Sequence, residues 1–158
     1  MRIAIYGATG MIGSRVAAEA VARGHEVTGI TRSGGELPAG VVAVQGDAGD
    51  SALAKRISSE ADAVVSAIGP SRTGGDRREY LAQARNLVET LGDARLLVVG
   101  GAGSLLVNGK RVVDDPAFPE VYLAEALVAA EALDYLRGLR LVGEPVLGNS
   151  NHEVLIAR

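Results

Sequence analysis

The chain has no cysteine and no tryptophan among its 158 residues, and only one phenylalanine and four tyrosines. Without cysteine there are no disulfides, no thiolate metal sites and no cysteine nucleophiles. Aromatic residues make up 3% of the chain and hydrophobic residues 47%, so Ala, Val, Leu and Ile must build the core. An excess of positive charge is also lacking. Sixteen basic residues face nineteen acidic ones, for a net charge of -3, which argues against a nucleic-acid partner, whose binder is usually basic. No apolar run approaches the ~20 residues of a membrane span, and Met1 leads directly into a strand-like segment. Neither a membrane partner nor a signal peptide is therefore expected, and the chain reads as a soluble, cytoplasmic protein. The two histidines, His25 and His152, have no partners at metal-ligand spacing, so no metal site is expected.

What is present is glycine, 21 residues of it. Beside such a high apolar content this asks for tight backbone turns more than for disorder. The length suits one domain, which at this size removes roughly 70% of its unfolded surface from water.

Short β-rich runs alternate with helical ones, the pattern of a parallel sheet with crossover helices. Strands are predicted at Arg2 to Tyr6, Glu26 to Thr31, Val41 to Val44, Asp62 to Ile68 and Arg95 to Val99. Helices are predicted at Met11 to Arg23, ended by Gly24, and at Ser51 to Ser58 and Arg77 to Leu91. After the fifth strand the period breaks. Asn108-Gly109 between two short apolar runs signals a hairpin, a Pro-containing loop follows, and a long helix runs from about Glu120 to Arg137. Leu139 to Val142 is a sixth candidate strand. The fold class is α/β, a doubly wound Rossmann-type sheet of about six strands in the order 3-2-1-4-5-6 with helices on both faces. Residues 1–145 form this domain and residues 146–158 a short tail.

The strongest chemical signal is Gly7-Ala8-Thr9-Gly10-Met11-Ile12-Gly13, between the first strand and the first helix. Gly7 permits the sharp turn, Gly10 the approach of backbone N–H groups to a pyrophosphate, and Gly13 the close packing of helix on strand. The helix then points its free N–H groups and positive dipole end at the phosphates. The spacing G-x-x-G-x-x-G departs from the commoner G-x-G-x-x-G, and a glycine turn built for packing alone is the plainer alternative. At the end of the second strand an NAD site usually carries a carboxylate for the ribose hydroxyls. Here Thr31-Arg32-Ser33 stands instead. A guanidinium cannot accept from those hydroxyls but suits a 2′-phosphate, so NADP(H) is favoured over NAD(H), unless Arg32 is an ordinary solvated arginine.

The run IAIYGATGMIGSRVAAEAVARGHEVTGITRS resembles the atypical short-chain dehydrogenase/reductase family, in its NmrA-like and NADH-flavin-reductase-like branch. A second stretch, Val99-Gly100-Gly101-Ala102-Gly103-Ser104-Leu105 followed by VNGKRVVDDPAFPEVYLAEAL, resembles the same branch more specifically. The resemblance covers roughly residues 1–145. It implies that Asp47 binds the adenine amino group, although an Asp after Gly is equally a turn former. It implies that Ala67-Ile68-Gly69 lies against the adenosine ribose and Ser104 near the nicotinamide and substrate. Pro145 matches the proline that borders the nicotinamide, with surroundings that depart from the pattern.

Most members of the wider superfamily pair a Tyr with a Lys four residues on. This chain has only Lys55 and Lys110, and neither follows a tyrosine at that spacing. Tyr122 stands at a suitable distance after Ser104, but position 126 is Ala, so Tyr122 lacks the cation that would make its phenol an acid. Carbonyl or alcohol oxidoreduction of the usual kind is therefore not expected. A flavin, a quinone or a similar conjugated acceptor takes hydride directly, with Ser104 as a hydrogen-bond donor to the developing charge. No serine lies in G-x-S-x-G and no triad is apparent. The alternative, from the NmrA-like resemblance, is a redox sensor that binds NADP and acts through a protein partner. The tail VLGNSNHEVLIAR does not resemble the family, whose members continue with further elements that cover the substrate. A truncation, a divergent ending or a frame change each fit this; with a native ending, the pocket is either open or completed by another subunit.

Overall fold

The computed structural model describes residues 1–71 and 76–139, and residues 146–147 and 153–157 as strands. Five parallel strands come first: β1 (Arg2–Tyr6), β2 (Glu26–Thr31), β3 (Val41–Gln45), β4 (Ala63–Ser66) and β5 (Arg95–Val99), in the order β3-β2-β1-β4-β5. Between them run the helices α1 (Gly13–Ala22), α2 (Ser51–Glu60) and α3 (Arg78–Glu89). The reversal of strand order between β1 and β4 opens a crevice at the carboxyl ends of the strands, where ligands bind in open α/β sheets.

β1 and β4 lie inside the sheet and bury both faces, which is why their sequences read as continuous apolar runs. On one face Ala4, Tyr6, Val64 and Leu96 pack with Ala54, Ile57 and Leu87 of α2 and α3. On the other, Ile5, Val27 and Val65 pack with Ala17 and Ala20 of α1. The alternation Ala4/Ile5/Tyr6 and Val64/Val65 follows the two-residue period of a strand. Each fully buried large aliphatic side chain, such as Ile5 or Leu96 at 0% exposure, contributes about 1.5–3 kcal/mol. The core is aliphatic, as the scarcity of aromatics required.

The hairpin forms at β6 (Leu106–Val107) and β7 (Lys110–Arg111). Asn108 and Gly109 both take positive φ, 52° and 77°, the two left-handed residues of a tight turn whose twist matches its strands. A 19-residue helix, α4 (Glu120–Gly138), follows and packs Ala132 against Tyr80 and Leu81 of α3. Beyond it the expectation and the structure part. Leu139 caps α4 in an extended conformation, and the rest of the expected strand lies outside the described residues. The place beside β5 is taken by β9 (Glu153–Ala157), which runs antiparallel to β5 and pairs in turn with β8 (Val146–Leu147). No described helix is long and apolar enough to cross a membrane.

Candidate functional site

The glycine turn is built as its spacing requires. Gly7 has φ +76° and its N–H donates to the Ile30 carbonyl at 3.1 Å. The Gly10 N–H donates back to the Gly7 carbonyl at 2.9 Å, and the Ser14 N–H to the Gly10 carbonyl at 2.9 Å. A Cβ on Gly7 would come within 2.8 Å of the Ala67 carbonyl oxygen, and one on Gly13 would run into the Gly7 carbonyl and lie 2.8 Å from its carbon. Only hydrogen fits at either position. The turn, the start of α1 and the end of β4 are thus stacked backbone on backbone. No side chain caps the N-terminus of α1, an end at which N–H groups not taken within the turn can meet water or an anion.

Two adjoining cavities open from this turn. The smaller, about 300 Å³, includes Gly7, Thr9 and Gly10 with Arg32, Asp47 and Gln83 in its wall. The larger, about 510 Å³, is bounded by Met11, Ile12, Tyr80, Phe118, Tyr122 and Ala129, among others. Ala67, Ile68 and Gly69, at the end of β4, line both. Both volumes fall in the range of small-molecule sites, about 300–1,000 Å³.

The smaller cavity ends in a polar network. Arg32, just past β2, places Nη1 3.2 Å from Glu79 Oε1 and Nε 3.8 Å from Asp47 Oδ2. Gln83, almost fully buried on α3, sets its Nε2 3.2 Å from both Asp47 oxygens and from Glu79 Oε1. Asp47 also accepts from the Gly49 N–H at 2.6 Å. It is therefore a turn former and a cavity residue at once, and the two readings of it are compatible. Tyr6, at the end of β1, borders the same cavity. Its hydroxyl is buried with no hydrogen-bond partner among the described residues, and burial, with Asp50 adding to it, pushes its phenol up to about 12.

The larger cavity is mostly apolar. Tyr122 reaches it from the first turn of α4 and is 59% exposed. Tyr80 forms part of its wall, and burial raises the phenol above its ordinary value; it therefore stays protonated at neutral pH. Ser104 is buried behind the Gly100–Gly103 wall, and its one hydroxyl proton goes to the Gly101 carbonyl at 2.8 Å. Pro145 lies outside the described residues. Sequence reasoning missed Glu79, Gln83, Tyr80 and Phe118. The first two carry the i,i+4 spacing of a helical pair, the only local signal available for any of them. Among the described residues there is no group of three side chains able to hold a metal ion.

A family profile described as NAD(P)H-binding matches residues 7–140. The uncharacterized protein YwnB of Bacillus subtilis is 39% identical over 143 residues, which is 87% of this chain and 66% of YwnB. Among solved structures, a proposed exported protein from Burkholderia pseudomallei is 42% identical, with a TM-score of 0.75 over 89% of this chain and 67% of that one. A proposed NADH-flavin reductase from Streptococcus pneumoniae is 36% identical, with a TM-score of 0.73 over 87% of this chain and 66% of that one. The chain spans about two thirds of the length of these relatives.

Proposed function

The chain belongs to the NAD(P)H-binding family, and from that premise we propose that it is a reductase that passes hydride from NADPH to a flavin, quinone or similar conjugated acceptor. The observation that carries this is the pair of cavities joined at Ala67–Gly69, one polar and glycine-rich, the other apolar and without a lysine in its described wall.

In this reading the amides of the Gly7–Gly13 turn and of the start of α1 hold the pyrophosphate. Asp47 takes the adenine amino group, and Arg32 the 2′-phosphate that distinguishes NADP(H) from NAD(H). Ala67, Ile68 and Gly69 lie along the ribose, and Met11 and Ile12 lead into the larger cavity. A bound reduced nicotinamide supplies the hydride. The chain's own residues orient and exclude water: Phe118, Tyr122 and Ala129 offer an apolar seat to a flat acceptor beside the cofactor end. The acceptor gains a hydride and one proton, the proton from solvent, so neither Tyr122 nor Ser104 is needed as an acid. The name of the Streptococcus pneumoniae relative supports a flavin as acceptor. A cytoplasmic place of action belongs to the same reading, since reduced nicotinamides are held there.

Two measurements test it. Thermal unfolding with NADPH, with NADH and without ligand should show stabilisation, about 2.7 kcal/mol at a hundredfold excess over Kd. NADPH oxidation should then exceed the uncatalysed rate with FMN, FAD or a quinone. Stabilisation without oxidation of any acceptor would favour the NmrA-like sensor, and no stabilisation by either nicotinamide would end both readings.

A further inference from the structure

The arginine expected to recognise a 2′-phosphate does not stand alone. Arg32 is one cation between two carboxylates, Asp47 and Glu79, at 3.8 and 3.2 Å. Gln83, itself nearly buried, has its Nε2 within 3.2 Å of both carboxylates and so fixes them in place. These three ionised side chains sum to one negative charge. A 2′-phosphate would add up to two more negative charges and would share the guanidinium with Glu79, which now accepts from Nη1 at 3.2 Å. Asp47 faces the cavity. Glu79 is not part of the described wall and reaches it only through Arg32 and Gln83.

We propose that Glu79 is a positioning residue that competes with the 2′-phosphate for Arg32, and so holds the preference for NADP(H) over NAD(H) to a narrow margin. The inference rests on the dinucleotide reading above and goes beyond it: the chain uses both nicotinamides, and a carboxylate on α3 sets the ratio. An Asp or Glu at the end of β2 would exclude the phosphate outright. Here the carboxylate comes from a different element and opposes the phosphate by occupying its arginine.

The test is titration calorimetry of the full chain with NADP⁺ and with NAD⁺, which differ only by the 2′-phosphate, for the wild type, Glu79→Gln and Arg32→Ala. The wild type should bind the two within about tenfold of each other. Glu79→Gln should tighten NADP⁺ by about three- to tenfold, the scale of an exposed ion pair released together with a repulsion, and leave NAD⁺ within twofold. In the Arg32→Ala background the same change should do nothing selective. A merely structural role would move both ligands together, and that result would overturn the proposal, as would a loss of NADP⁺ affinity in Glu79→Gln. Normal NAD⁺ binding with no selective change sinks the role of Glu79 alone; binding of neither dinucleotide sinks the dinucleotide reading with it.

Discussion

The two cavities are made of different material. At the glycine turn the wall is main chain: Gly7, Gly10 and Gly13 bring backbone against backbone, and a Cβ on Gly7 or Gly13 would break the contact. In the larger cavity the wall is side chain, drawn from the end of β4, from α3, from the glycine-rich segment after β5 and from α4. A backbone site is rigid and tolerates no substitution, while a side-chain site can be reshaped one residue at a time.

The largest expected effect breaks the first region. Gly13→Val drives a branched side chain into the Gly7 carbonyl and should cost about 3 kcal/mol of stability, with loss of dinucleotide binding, read by urea unfolding and calorimetry. The second region is tested by filling it. Ala129→Leu should raise the KM for a flavin or quinone about tenfold, since a few methylenes in a pocket change affinity by about 1–3 kcal/mol, while the Kd for NADP⁺ stays within twofold. If both constants move together, the two cavities are not separable.

A smaller effect concerns Tyr6, between the core and the adenosine end. Its folded pKa of about 12 lies above the ordinary 10, so between those values the unfolded chain releases a proton that the folded chain keeps. Stability is fully present below pH 10 and falls as the pH rises towards 12. Tyr6→Phe should flatten that fall and, by removing a buried hydroxyl without a partner, leave stability at neutral pH unchanged or about 1 kcal/mol higher. Unfolding curves at pH 8 and pH 11 check both. The smallest effect is expected at Tyr122. Tyr122→Phe should leave kcat for acceptor reduction within about twofold, because the exposed phenol has no lysine behind it; a hundredfold loss would restore an acid–base role.

This division also decided what could be read before the fold was known. The glycine turn was legible because its demands are local: a positive φ at Gly7 and no room for a side chain at Gly13 can be inferred from seven consecutive residues. The five parallel strands were legible from their apolar runs, and the hairpin from Asn108-Gly109. In the larger cavity Met11, Ile12, Ala67–Gly69 and Tyr122 were legible, but Tyr80 and Phe118 were not, because they come to one cavity only in the folded chain, and no period in the sequence encodes that. Arg32 was visible at the end of β2, and Asp47 after β3, but Glu79 was not, since it lies 47 residues from Arg32. The pairing of β9 with β5 was not legible for a similar reason. EVLIA has strand character, yet its partner is chosen by the open edge of β5 and not by anything adjacent in sequence.

Helix α3 bears on both cavities, lining the smaller with Gln83 and the larger with Tyr80. Glu79 holds the arginine of the smaller one and Tyr80 forms part of the larger. Neighbouring residues on a helix diverge by about 100°, so one rigid rod touches both ends of the site. On the proposed function, the seats of nicotinamide and acceptor are thus held by a single turn of helix.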